Sequence, residues 1–235
     1  MQARVDVWRI DLAGLPPPGE AELASLDGTE RRRHAGYLSA EAAATFARTR
    51  LALRRLIAAR TRGRPRDVRL AVDGQGKPFA PDCAGFSFNV SHCPTEALVA
   101  FSDAGAVGID IEAQSAMPLP ESMGPVVCTD AELKWLRAHP GVAGMALGRL
   151  WCRKEALSKA WGTGLGHRMS AIETGDPGRT CGTVDAASMP RAVWRDLRLP
   201  TAHVAALAVA SPTVSSIDVS MRSFTEVFAG DDHGR

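Results

Sequence analysis

Residues 106–112 read AVGIDIE, and the alternation in this stretch decides how the rest of the chain is read. On an extended strand Val107, Ile109 and Ile111 share one face, while Gly108, Asp110 and Glu112 share the other. The apolar face asks for a core beneath it. Two carboxylates one strand pitch apart can share a hard cation, which prefers oxygen ligands, and Gly108 on the same face leaves room for a ligand to approach the backbone. By itself D-x-E on a strand equally describes an edge strand with a solvated acidic face, so the flanking sequence has to decide.

About forty residues later, LGRLWCRKEALSKAWG (147–162) has helical spacing and is stopped by Gly162 and Gly164. Glu155 and Lys159 lie four apart and so on one helix face. A routine ion pair between them, nearly neutral in energy, is the plain expectation. If the helix faces the acidic side of the strand, however, Glu155 supplies a third oxygen and Lys159 lies beside whatever anion completes the coordination. Lys154 stands one step around, and Trp151, Leu157 and Trp161 can bury other parts of the helix. Magnesium takes few protein carboxylates and fills its octahedron with phosphate oxygens and water. Three acids and a lysine therefore predict phosphoryl chemistry.

Outward from these two stretches the elements are mixed. RVDVWRIDL near the start alternates as a strand before the turn-rich GLPPPGE. From Ser39 to about Arg62 the spacing predicts a helix with a stripe of Phe46, Leu53, Leu56 and Ile57, ended by Gly63 and Pro65. FSFNVSH (86–92) sets Phe86, Phe88 and Val90 against Ser87, Asn89 and Ser91, a strand with one polar face. EALVAFS and AVGIDIE, separated by DAG, read as a hairpin. A Pro- and Met-containing loop is expected at 113–126, then a helix in TDAELKWLRAH with Thr129 and Glu132 as a capping box. HVAALAVAS and SSIDVSM read as strands, and 229–235 as a disordered tail. This order is α+β rather than a βαβ alternation.

Bulk properties exclude more than they assign. The 235 residues carry 28 Lys and Arg against 26 Asp and Glu, a net charge of +2, so bulk electrostatics do not point to nucleic acid. Twelve arginines crowd between Arg31 and Arg69 beside only Glu41 and Asp67, either a solvated helix or an anion-binding face. Five scattered cysteines without a C-x-x-C pair make a zinc or disulfide framework unlikely on spacing. The N-terminal stretch cannot serve as a signal h-region and no apolar run approaches membrane length, so a cytoplasmic protein without membrane partners is expected.

GKPF (76–79), FNVSH (88–92), GIDIE (108–112) and WCRKEALSKAWGTGL (151–165), in this order and spacing, resemble the motifs of Sfp-type 4'-phosphopantetheinyl transferases, the last being their W-x-x-K-E-A-x-x-K signature. Cys128 departs from the aromatic of the family's F-[ST]-x-x-E segment, while Thr129 and Glu132 fit. The resemblance implies two similar α/β halves about a pseudo-twofold, here 1–105 and 106–220 with a tail at 221–235, and an active site in the cleft between them. It implies coenzyme A as co-substrate and Mg²⁺ as cofactor, with Asp110, Glu112 and Glu155 as metal ligands. A carrier-protein serine attacks the phosphate nearest the pantetheine arm, and adenosine 3',5'-bisphosphate leaves.

Within that reaction the resemblance makes Glu155 the base, directly or through a metal-bound water, and Lys159 the neutraliser of charge on the leaving phosphate. It further assigns coenzyme A contacts to Arg50 (for the 3'-phosphate, with Arg31–Arg33 and Arg54 behind it), Lys77, Pro78, Ser91, His92, Asp110, Lys154, Glu155 and Lys159. The carrier is expected to be an acyl or peptidyl carrier of polyketide, nonribosomal peptide or fatty-acid synthesis, the enzyme a monomer. Met117, Leu119 and Met123 after the metal strand are expected to meet the carrier or to fill the loop's own core. A catalytically silent coenzyme A-binding protein and a Mg²⁺-dependent phosphohydrolase are the competing expectations.

Overall fold

A computed structural model describes residues 1–117, 120–164, 169–185 and 189–225. Its secondary structure begins with β1 (Gln2–Asp11), two short helices α1 (Glu20–Ala24) and α2 (Gly28–Ala35), and the long α3 (Ala40–Thr61). The small strands β2 (Ala71–Val72) and β3 (Pro78–Phe79) follow, then β4 (Ser87–His92), β5 (Glu96–Ser102) and β6 (Ala106–Ala113). Helices α4 (Pro120–Val127), α5 (Asp130–Ala138) and α6 (Ala143–Trp161) lead to β7 (Cys181–Val184), β8 (Ala192–Leu197), β9 (His203–Ala210) and β10 (Ser216–Ser223). The class is α+β. No helix among the described residues is long and apolar enough to cross a membrane.

Two four-stranded sheets carry the molecule, in the orders β10-β1-β5-β4 and β6-β9-β8-β7, with β2 and β3 as a separate pair. Their facing sides form one apolar core from Val5, Val7, Leu98, Ala100, Ile109, Ile111, Leu207 and Val209. Helix α3 covers the outer face of the first sheet through Leu53, Leu56 and Ile57 against Phe88, Val99 and Phe101. Helix α6 covers the outer face of the second through Cys152, Ala156 and Ala160 against Trp194, Ala206 and Ala208. Each fully buried aliphatic side chain in these layers contributes about 1.5–3 kcal/mol. The strand alternation in residues 106–112 therefore does double service: its apolar face lies between the sheets and its polar face meets α6.

Ser39 caps α3 by accepting from the Ala42 amide, and Thr129 and Glu132 form the expected capping box on α5. The hairpin expected between EALVAFS and AVGIDIE does not form. Both edges of β5 are already used, by β1 and β4, and β6 pairs with β9 in the other sheet. The 103–105 turn instead carries the chain across, and a Cβ at Gly105 would stand 2.6 Å from the Ala210 carbonyl oxygen. The region expected as a loop at 113–126 contains a 3-10 turn at Gln114–Ala116 and α4. Strand β10 returns to the first sheet, parallel to β1, and extends to Ser223, so Met221–Ser223 are strand rather than tail. The segment 229–235 and Leu119 lie outside the described residues.

At Gly108 the reason for glycine is helix packing, not ligand access. A Cβ there would stand 2.0 Å from the Ala156 carbonyl oxygen and 2.5 Å from the Ala160 nitrogen, so α6 already fills the space. Gly108→Ala should thus lower the unfolding free energy by about 3 kcal/mol, the upper range for overpacking a core. Gly144→Ala on the same helix, whose Cβ meets nothing, should be neutral or stabilising by up to about 1 kcal/mol. Denaturant unfolding of both variants checks the contrast.

Candidate active site

Strand β6 is an edge strand, and its free edge is finished by side chains. The Val107 and Ile109 amides donate to Ser87 Oγ (3.1 Å) and Asn89 Oδ1 (2.9 Å) of β4. The carbonyls of the same two residues accept from Lys77 Nζ (3.0 Å) and Lys159 Nζ (3.2 Å). This is the use of the polar face of β4: Ser87, Asn89 and Ser91 are all directed at β6. One step beyond the last backbone contact, Ser91 Oγ donates to Asp110 Oδ1 (2.9 Å).

Asp110 is 3% exposed. Its Oδ1 also accepts from Lys159 Nζ at 2.6 Å, whereas its Oδ2 is buried with no hydrogen-bond partner. The ion pair expected between Glu155 and Lys159 is not made; Lys159 leans across to the strand instead. Glu155 is buried on α6 and its Oε1 has no partner. Burial, with the charges of Asp110 and Glu112, pushes the Glu155 carboxyl above its usual range against the opposing pull of Lys159. Burial and Asp110 push Glu112 up in the same way. The thiol of Cys152, buried under this group, is held well above its ordinary value first by burial and then by Asp110, so it stays a neutral donor to the Val204 carbonyl (3.4 Å). Among the described residues no three or more His, Cys, Asp or Glu side chains are gathered closely enough to hold a metal ion as they stand.

A cavity of about 590 Å³ opens beside these acids, lined by Tyr37, Ser39, Thr45, His92, Glu112 and Ala116. Burial first, then Lys159, Arg50 and Arg33, lowers the pKa of His92, which leaves the imidazole neutral near pH 7 as a hydrogen-bonding group rather than a cation. Arg50 and Arg33 both pack on the Phe46 ring, at 5.5 and 5.2 Å from its centroid. The nearest acid to Arg50 is Glu30 at 3.8 Å, and among the described residues its guanidinium donates no hydrogen bond. Its donors are therefore to spare.

Other sequence expectations are redirected by the geometry. Lys154 is fully buried and donates to Glu132 and to the Val127 carbonyl, tying α6 to the cap of α5. Lys77 spends its ammonium on the carbonyls of Val107 and Lys159 (2.7 Å), and burial lowers its pKa. It braces the site rather than offering a free charge. Pro78 opens β3 opposite Val72. Arg54 is consumed by Glu30, Asp27 and the Val68 carbonyl, Arg31 by the Leu26 carbonyl, Arg32 by Thr29. Most of the twelve arginines are thus internal braces or surface pairs. Met117 packs on Gly148 and Met123 on the α5–α6 core, which favours loop packing over a free apolar surface. Sequence reasoning missed that Ser91, Asp110 and Lys159 form one network; the Ser87-Asn89-Ser91 alternation was the available signal.

Residues 106–207 match the 4'-phosphopantetheinyl transferase superfamily. A phosphopantetheinyl transferase of Thraustochytrium sp. is 27% identical over 227 residues, covering 88% of this chain and 79% of its own length. A provisionally named 4'-phosphopantetheinyl transferase of Synechocystis sp. is 28% identical over 152 residues, covering 63% of this chain and 62% of its own.

The buried acids set a pH signature. With the Glu155 carboxyl raised above its ordinary 4.5, the folded chain holds more protons than the unfolded one between the two values, and stability falls as pH rises through that window. Glu155→Gln removes this penalty. The ligand-free variant should melt above the native chain at about pH 7.5, and the gap should close by about pH 4. A variant that melts lower at both pH values contradicts the reading; thermal melts across pH decide.

Proposed function

We propose that the chain, whose residues 106–207 match the 4'-phosphopantetheinyl transferase superfamily, is a transferase that moves the phosphopantetheine arm of coenzyme A onto a carrier-protein serine. The observation that carries the reading is the network of Lys159, Asp110 and Ser91 beside two buried carboxylate oxygens without partners. Oxygen donors left in that state fit a hard divalent cation such as Mg²⁺, held by Asp110, Glu112 and Glu155. Such an ion supplies charge neutralisation to the pyrophosphate.

The remaining work falls to side chains. Glu155, with its carboxyl raised by burial, takes the proton of the serine hydroxyl at the carboxylate oxygen not engaged by the cation, as the serine oxygen attacks the phosphorus nearest the pantetheine arm. The bond to the bridging oxygen breaks, and adenosine 3',5'-bisphosphate leaves with its new charge facing Lys159. Arg50 meets the 3'-phosphate and neutral His92 donates to the pyrophosphate, with Ser91 beside it as the link between Asp110 and Lys159. Lys77 holds the backbone of β6 and of Lys159, with Pro78 fixing its strand; Lys154 acts only through the position of α6. The long helices α3 and α6, each laid on its own four-stranded sheet, support the reading of two similar halves, 1–105 and 106–220, with the site between them. Carriers of polyketide, nonribosomal peptide or fatty-acid synthesis are the proposed partners. Five free cysteines suit a reducing cytoplasm, and the enzyme is read as a monomer.

Incubation with coenzyme A and Mg²⁺ and a panel of apo acyl and peptidyl carriers tests this. Intact mass should show one phosphopantetheine added to a carrier, with equimolar adenosine 3',5'-bisphosphate released only when carrier is present. Consumption of coenzyme A without carrier would show a hydrolase; binding without consumption, a silent binder. Within this assay Arg50→Ala should weaken coenzyme A by roughly tenfold, the scale of one charge-assisted contact, and 3'-dephospho-coenzyme A much less. Equal weakening of both would move Arg50 away from the 3'-phosphate.

A further inference from the structure

Lys159 has no proton left to give a phosphate. An ammonium donates three hydrogen bonds, and Lys159 Nζ already has three acceptors: Asp110 Oδ1 at 2.6 Å, Ser91 Oγ at 3.1 Å and the Ile109 carbonyl at 3.2 Å. Asp110 is committed at one oxygen, since its Oδ1 holds both Lys159 and the Ser91 hydroxyl while Oδ2 has no partner. Three carboxylates, Asp110, Glu112 and Glu155, thus share one resident cation carried on the chain itself. While this pair is closed the lysine has no donor for a phosphate, and its charge competes with a divalent ion for the same carboxylates. A single movement of the lysine frees both groups.

We propose that Lys159 is a built-in counter-ion that closes the metal position, and that it leaves Asp110 for the pyrophosphate when coenzyme A binds. The proposal rests on the transferase reading of the site. Its physical basis is that buried carboxylates need a positive partner at every stage. The chain supplies one in the free enzyme, and opening the pair is offset only when a phosphate takes the ammonium. Ser91, which donates to Asp110 and accepts from Lys159, keeps the lysine within reach of both positions. Divalent cation and coenzyme A must then strengthen each other's binding, by the same factor in either order.

Mn²⁺ titration followed by the paramagnetic resonance of the free ion tests this without turnover, using native chain, Lys159→Gln and Lys159→Arg, each with and without coenzyme A. Without coenzyme A, Lys159→Gln should bind Mn²⁺ roughly tenfold more tightly than the native chain, within the usual range of site coupling. Lys159→Arg, which keeps a cation at the site, should stay near native. Coenzyme A should tighten Mn²⁺ on the native chain by a similar factor and on Lys159→Gln far less. If Lys159→Gln binds Mn²⁺ no more tightly than native while melting as a folded protein, the exchange is wrong and the transferase reading stands. If no chain binds Mn²⁺ even with coenzyme A, both fall. Should Lys159→Gln fail to fold, Ser91→Ala reads the same exchange by removing one acceptor from Lys159 and one donor from Asp110; tighter Mn²⁺ supports the exchange and unchanged binding overturns it.

Discussion

A buried strand with one edge unpaired is the constraint from which the rest of this structure follows. Strand β6 has β9 on one side and, among the described residues, no strand hydrogen-bonded on the other, yet most of its residues are buried. Unpaired buried amides and carbonyls are costly, so their partners have to come from side chains. Ser87 and Asn89 take the amides, Lys77 and Lys159 the carbonyls. Two ammonium groups are thereby drawn to the strand that carries Asp110 and Glu112, and the site's electrostatics grow out of a backbone requirement. Gly108 then lets α6 approach closely enough to bring Lys159 and Glu155 over the same strand.

Helix α6 shows how three consecutive charged residues divide their labour. Arg153 is fully buried over the Trp194 ring (4.2 Å) and makes two hydrogen bonds of 2.7 Å to Asp196 of β8. Lys154 points to the cap of α5, where Glu132 also accepts from the Thr174 hydroxyl (2.9 Å). Glu155 alone turns to the site. Removing one partner of such buried pairs costs about 3–5 kcal/mol, which makes the two flanking charges the anchors of the third. The rigidity of those anchors contrasts with the acids between strand and helix, whose partnerless oxygens and raised carboxyls are a store of instability of the kind found at working sites.

The gathering of acids at one place was legible in the sequence because it follows strand and helix periods. Asp110 and Glu112 sit two apart on β6, Glu155 on the facing helix, and the alternation of Ser87, Asn89 and Ser91 marked a polar strand face whose target was not visible. Helix ends were legible for the same local reason: Ser39 and Thr129 are caps that act within one turn. What failed was long-range pairing. DAG looks like a hairpin turn, but β5 had already found β1 and β4, and which strands pair is settled by tertiary packing, not by turn residues. The acceptors that Lys154 and Lys77 hold in the ligand-free chain were not visible, because a motif lysine and a buried bracing lysine have the same one-letter code. The sequence likewise paired Lys159 with Glu155 by helical spacing, whereas the closer carboxylate lies on another element.

The claim that the site depends on the side-chain seam of β6 is tested most directly at Asn89, which accepts from the Ile109 amide and makes no hydrogen bond to Asp110, Glu112, Glu155 or Lys159 among the described residues. Turnover of Asn89→Ala should be measured with a responsive apo carrier and saturating coenzyme A, at a temperature where melting shows the variant folded. The account predicts a fall in kcat of roughly tenfold or more, on the scale of misplacing reacting groups, because the orphaned Ile109 amide lets β6 shift beneath Asp110. A folded Asn89→Ala with native kcat would show that the seam only stabilises the fold and that the site is positioned independently of it.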